Sequence, residues 1–299
     1  MCPYCNSLKF KKKGFFKKMT TSAERIQRYL CHECMRSFSD QTGRLTYREK
    51  KPHENQRLYR LLCSGVSQTR SAAILGIHRI TVTRKLERLA RFARAEHRKW
   101  ILTRAAHQKP ANTLIFDEME TFEHTKCKPI SLAIGVCEST RELISLHAAT
   151  MPAKGLIASL SRKRYGRRKD LRPFALRKLM EDFRTFDHAC RHLKSDSKTS
   201  YKRYVKNYFT ESQYTREKGR RGATVGQGEL KAIAFDPLFK LNHTCAMVRD
   251  NVKTMSRRTW CTVKRLDRLQ DLLDLYVHFH NRFVVAKIRV PTICGDPAM

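Results

Sequence analysis

An α/β fold is what this sequence predicts, and three observations carry it. Short apolar runs of strand length fall at 113–117, 130–137, 143–151 and 190–196. Apolar residues at helical spacing fall at 174–188, 238–260 and 266–280. The two kinds of pattern succeed one another along the chain, as they do where helices cover a sheet. The run at 113–117 is a buried strand ending on Asp117. Two further strands follow, separated by the turn signal at 138–141, so the first three form a meander. The helix at 174–188 leads into a strand that also ends on an acid, Asp196. Leu241, Cys245, Val248, Val252 and Met255 then mark one face of a helix, and a last helix runs over 266–280.

The 299 residues suffice for one domain of ordinary size plus one or two small modules. Lys and Arg number 62 against 27 Asp and Glu, a formal charge of +35. Such an excess repels itself in a compact fold unless a polyanion is near, so nucleic acid is the first expected partner, ahead of a ribosomal or membrane-surface role. No apolar run reaches 18 residues and the N-terminus opens on Cys2 and a lysine cluster, so neither a membrane span nor a signal peptide is expected. The expected location is the cytoplasm, in association with the nucleoid. Eleven cysteines, an odd number scattered over the chain, speak against a disulfide framework and for reduced thiols, some of them on metal.

Two small modules precede the α/β pattern. In residues 1–45, Cys2 and Cys5 form one CxxC pair and Cys31 and Cys34 another. Two such knuckles complete a tetrahedral four-sulfur Zn²⁺ site, the mark of a zinc ribbon. Lys9, Lys11, Lys12, Lys13, Lys17 and Lys18 alternate there with Phe10, Phe15 and Phe16, a mixture suited to touching phosphate, although a purely structural zinc is the rival reading. Residues 53–104 read as a helix-turn-helix with a basic helical connector. Leu58, Leu61 and Leu62 mark its first helix, Ala72, Ala73 and Leu75 its second, and Val82, Leu86 and Leu89 its third. Ser67 caps the second helix and Gly76 supplies the turn. Arg79, Thr81, Arg84 and Lys85 are expected on the exposed face of the third, suited to a major groove of double-stranded DNA.

Residues 112–285 form the third module, with 286–299 as a tail. Three meander strands, a helix, a strand and a later helix are the order of an RNase H-like fold. There the first and fourth strands lie side by side, so Asp117 and Asp196 can converge. Two carboxylates at one place suit Mg²⁺ ions that act on a phosphodiester. Strand alternation sets Glu118 on the opposite face from Asp117, and Glu118, Glu120 and Glu123 are expected to support the site or face solvent. Basic segments at 161–169 and 218–228 extend a possible DNA path. The second lacks the Gly-Lys-Ser/Thr ending of a phosphate loop, so no nucleotide cofactor is expected. His107, His124, His147 and His278 show no metal spacing. Tyr201, Tyr204 and Tyr208 read as aromatic packing along one helix rather than as a nucleophile.

At residues 116–124 (FDEMETFEH), 193–196 (LKSD), 241–249 (LNHTCAMVR), 257–260 (RRTW) and the pair His280 and Asn281, the chain resembles the DDE superfamily of transposases. The likeness is to insertion-sequence families in which asparagine replaces the third acid. The resemblance implies Asp117, Asp196 and Asn242 as the catalytic set, with Mg²⁺ on the two aspartates and Arg249 on phosphate. Asn242 and Arg249 lie seven residues apart and share a helix face; His243 and Glu229 remain open as third ligands. The implied activity is cutting at the terminal inverted repeats of a mobile element, then joining the freed 3′ ends to target DNA. Handling two ends together implies a homodimer or a larger assembly. The alternative is a DNA-binding regulator, without catalysis, built on the same two N-terminal modules.

Overall fold

The computed structural model describes residues 1–17, 25–44, 46–107, 111, 113–218, 230–231, 234–256 and 260–287. The chain divides into two compact units, one containing Met1–Gln56 and the other Arg57–Pro291. The module expected at 112–285, and all but residues 53–56 of the one expected at 53–104, fall in the second unit.

The first unit is a three-stranded antiparallel sheet, β1 (Phe10–Lys17), β2 (Arg25–Cys31) and β3 (Ser37–Ser39), in that order. Phe10, Tyr29 and Phe38 form an aromatic cluster with ring centroids 5.3–5.4 Å apart. They pack with Cys2, Cys31 and Cys34 into a small core. So few apolar groups bury little surface, and a unit of this size needs a further tie to be stable.

The second unit opens with α1 (Asn55–Leu62), α2 (Gln68–Ile74) and α3 (Arg79–His107). The Ser67 hydroxyl accepts from Arg70 N and caps α2. Gly76, at φ 57°, turns the chain before α3 in a conformation that a side chain would oppose. With 29 residues α3 is one rod of roughly 44 Å, at 1.5 Å per residue. Val82, Leu86, Leu89, Ala90 and Ala93 line its buried stripe, whereas Ala73 of α2 faces solvent. Arg94 of α3 donates to Asp271 at 2.7 Å and to Asp274 at 2.6 Å of the final helix, α8 (Leu266–Phe279), and so pins the rod to it.

Five strands build the main sheet: β4 (Thr113–Phe122), β5 (Pro129–Cys137), β6 (Leu143–Thr150), β7 (His192–Asp196) and β8 (Gln213–Glu217). Their order is β6-β5-β4-β7-β8. The first three pair antiparallel, β7 runs parallel to β4, and β8 parallel to β7. This is a mixed sheet in a mixed α/β protein. Between β6 and β7 lie α4 (Ala158–Tyr165) and α5 (Arg172–Phe186), and α6 (Tyr201–Tyr208) joins β7 to β8. Leu114 and Phe116 of β4 share a core with Leu179 and Phe183 of α5 and with Tyr201 and Val205 of α6. A methyl group on Gly135 would sit 2.3 Å from the Phe183 ring, so only glycine lets α5 lie this close.

A two-stranded ribbon of β9 (Leu230–Lys231) and β10 (Ala234–Phe235) precedes α7 (Phe239–Asn251), which packs on β4 and β5. The helix expected to reach residue 260 ends at Asn251: Val252 swings to φ −98°, ψ 98°, and Val252 and Met255 are buried by a 3₁₀ turn instead.

β6 is an edge strand whose backbone is met by side chains. Gln270 of α8 accepts from Ala148 N at 2.9 Å and donates to Leu146 O at 3.0 Å. Asn281 treats Leu143 in the same way, at 2.8 and 2.9 Å. His97 reaches Ile144 O and His280 reaches Arg141 O. Asn281 and His280 belong to a π-helical turn, His280–Val285, that continues α8. Among the described residues no helix is long and apolar enough to cross a membrane.

Candidate functional site

The first candidate centre is the cysteine cluster. Each CxxC folds as the same knuckle: Cys2 N donates to Ser7 O and Cys31 N to Arg36 O, five residues on in both. Asn6 and Met35, each just after the second cysteine of its pair, take positive φ. Cys2 Sγ lies 3.6 Å from Cys34 Sγ, Cys5 Sγ lies 3.5 Å from Cys31 Sγ, and all four sulfurs fall within 4.8 Å of one another. Sulfurs at 2.3 Å from a tetrahedral zinc stand about 3.8 Å apart, so the cluster has the dimensions of a four-thiolate metal site. The backbone N–H of Cys34, against the cost of burial, brings the Cys31 thiol down to about 6. Cys5 is pushed up to about 12; the Ser7 backbone pulls it down, but burial and the neighbouring thiols outweigh that. Four thiols cannot all ionise at such range unless a cation joins them.

The second centre is on the main sheet. The parallel register pairs Phe116 with Ser195, which sets Asp117 and Asp196 at adjoining positions. β4 continues five residues past Asp117, so Asp117 is mid-strand rather than at a strand end; Asp196 does close β7. Burial first and the Asp196 charge second raise the Asp117 carboxyl to about 6. Hydrogen bonds from Glu118 N at 2.6 Å and Tyr201 OH at 3.3 Å oppose the shift but do not cancel it. Lys198 N donates to Asp196 Oδ1 at 3.1 Å.

Asn242, Cys245 and Arg249 lie on one face of α7. The Cys245 thiol is pushed up to about 12 by burial and then by the Asp117 charge, with Arg249 acting in the opposite sense, and α7 packs on β4. Asn242 Nδ2 donates to Asp236 Oδ2 at 2.8 Å. His243 is turned elsewhere: Arg141 Nη2 donates to its Nδ1 at 2.6 Å and also reaches Met247. Glu229 lies outside the described residues.

Of the two parts expected of the acids on β4, Glu118 does not take the solvated one. Its side chain is 6% exposed and takes hydrogen bonds from Ser131 Oγ, Lys198 Nζ and Tyr201 OH. Tyr201, expected only to pack, thus touches both Glu118 and Asp117 with one hydroxyl. Glu120 pairs with Lys154 at 2.8 Å and Glu123 with Arg168 at 2.9 Å.

Of the residues expected to face DNA, Arg79 and Arg84 are exposed and Thr81 is half-buried. Lys85 is a correction: it is 2% exposed, because it follows Val82 by three residues and precedes Leu89 by four, which puts it on the buried stripe of α3. Residues 162–165 of the basic segment at 161–169 form the exposed part of α4, whose Ser161 hydroxyl donates to Cys127 O at 2.6 Å. The other basic segment falls, after Lys218, outside the described residues, as do Arg257 and Arg258. His147 bonds Asp182 at 2.8 Å and His278 bonds Tyr59 OH at 2.9 Å, which are structural roles. Lys198 and Asp236 had no signal in the sequence beyond their polarity, and Tyr201 only that of an aromatic on a helix. No protein-family model and no curated protein matches this chain.

Proposed function

We propose that the protein is a DNA strand-transfer enzyme, a transposase of the insertion-sequence kind, with an RNase H-like catalytic core. The observation that carries this reading is the parallel pairing of β4 with β7, which sets two aspartates side by side on a β6-β5-β4-β7-β8 sheet. That strand order, with α7 laid over the first strand, is the order expected of an RNase H-like fold. The charge of +35 favours a polyanionic substrate.

Asp117 fits a divalent ion on physical grounds. Its carboxyl is half-buried and pushed up by a second carboxylate, so it gains more from a cation than an exposed acid would. Asp117, Asp196 and the Asn242 carbonyl oxygen would hold Mg²⁺, which when bound supplies Lewis acidity to a phosphodiester. Tyr201 and the Glu118 backbone orient the Asp117 carboxylate, Lys198 N orients Asp196, and Arg249 stands on the same face of α7 to meet phosphate. Water attacking phosphorus displaces the 3′ oxygen of the element's end, which takes up a proton and leaves as a 3′-hydroxyl. That hydroxyl then attacks a target phosphodiester in a second displacement that needs no energy source. The four cysteines would hold Zn²⁺ in a ribbon, and Arg79 and Arg84 would read the major groove in a helix-turn-helix.

The test is strand transfer on the ends of the element that flanks the gene. Asp117→Asn is expected to abolish Mg²⁺-dependent cutting and joining while DNA binding persists. Unchanged transfer would refute the reading, and DNA binding with no cutting by the wild type would favour a regulator.

A further inference from the structure

We infer that Asp236 supplies the negative charge that Asn242 lacks, so that the two together act as the third metal ligand. The inference rests on the reading above. Asp236 is 5% exposed, and each of its carboxylate oxygens accepts from an N–H: Oδ1 from Leu238 N at 3.1 Å and Oδ2 from Asn242 Nδ2 at 2.8 Å. Both carboxylate oxygens thus serve as acceptors. A carboxylate can only accept, so it is the amide nitrogen of Asn242 that faces Asp236. The amide carbonyl oxygen is thereby turned away from Asp236, on a helix that packs on β4, the strand of Asp117.

A neutral amide is a poorer ligand for a hard cation than a carboxylate. A buried carboxylate on its N–H draws the amide electrons towards oxygen and fixes its orientation, as outer partners do for ligating groups elsewhere. Asp236 is a positioning residue in this scheme and does not touch the metal. Its place just before α7 ties it to the helix as well: Asp236 O accepts from Phe239 N while Oδ1 accepts from Leu238 N. The carboxylate therefore links the start of the helix to the ligand one turn along it.

Mn²⁺ binding to the full-length protein, read by electron paramagnetic resonance, tests this without turnover. The site is defined as the Mn²⁺ lost in Asp117→Ala. Asp236→Asn keeps the shape and one acceptor, enough to cap Leu238, while removing the charge and turning the other oxygen into an NH2 that cannot accept from Asn242; it is expected to weaken that Mn²⁺ about 10- to 100-fold. Asp236→Ser can cap Leu238 but is too short to hold Asn242, and should weaken it similarly. Adding Asn242→Asp to Asp236→Asn returns a carboxylate to the pair and should restore affinity. Unchanged Mn²⁺ binding in both single variants, or no rescue in the swap, would overturn the inference and leave the function standing. A wild type with no Mn²⁺ sensitive to Asp117→Ala would overturn both.

Discussion

At Asp117 the folded chain keeps a carboxyl that releases its proton near pH 6, against an ordinary value near 4. A folded-state value raised above the unfolded one means that ionisation costs stability as pH climbs through that window. At about 1.4 kcal/mol per unit the cost is on the order of 3 kcal/mol above pH 6. Without divalent ions Asp117→Asn should therefore be more stable than the wild type at pH 7.5 and no more stable at pH 4, as urea melts would register. The buried His278 and His280 are shifted in the reverse sense, to about 4, mainly by desolvation. His278 Nε2 and His280 Nδ1 meet no hydrogen-bond partner among the described residues, so a second ring proton would find no acceptor. Their stability is present above pH 6.5 and is lost as pH falls towards 4. In the Asp117→Asn background, free of the opposing trend, His280→Gln should flatten the acid limb of the stability curve. The two aspartates were legible in the sequence because each ends or interrupts an apolar run. Lys85 was misread because a lysine on a basic helix looks exposed until the stripe of Val82, Leu86 and Leu89 is counted through it.

The element most dependent on distant partners is β6. Its outer backbone groups are taken by the amides of Gln270 and Asn281, which stand in for a neighbouring strand and leave less of the edge open to pairing with another chain. Gln270→Ala should orphan one N–H and one C=O at about 2 to 4 kcal/mol. Hydrogen exchange is expected to quicken at Ala148, and unchanged protection there would show that the amide is dispensable. No spacing in the sequence announces such bonds, since residue 270 meets residue 148 only after the fold is made. Strands β5 and β6 and helices α5 and α8 could be read from apolar periodicity, which local packing rewards. The far half of β4 could not, because Glu118 and Glu120, with Glu123 just past its end, hide a strand whose acids are paired with Lys198, Lys154 and Arg168. Helix α4 and strand β8 are largely polar and carry little periodic signal.

For the molecule as a whole, the first unit has a core of a few aromatic rings and sulfurs, so its folding is expected to be inseparable from metal. Chelation at neutral pH should release one zinc and disperse the stacking of Tyr29 on Phe38, seen as lost near-ultraviolet dichroism. Cys31→Ser should behave as the chelated protein does, and a full equivalent of zinc retained by it would contradict the assignment. In the second unit, α3 carries Arg79 and Arg84 near one end, while Ile101 near the other shares the core of Leu114 and Phe116 on β4. On the proposed function, this one continuous helix would set both where bases are touched and where the DNA is cut. A protein working in that way would act as a ruler: moving the recognised sequence one base pair along the duplex should move the nick by one base pair. Adding a residue within α3 turns its reading end by about 100° and should uncouple binding from cutting altogether.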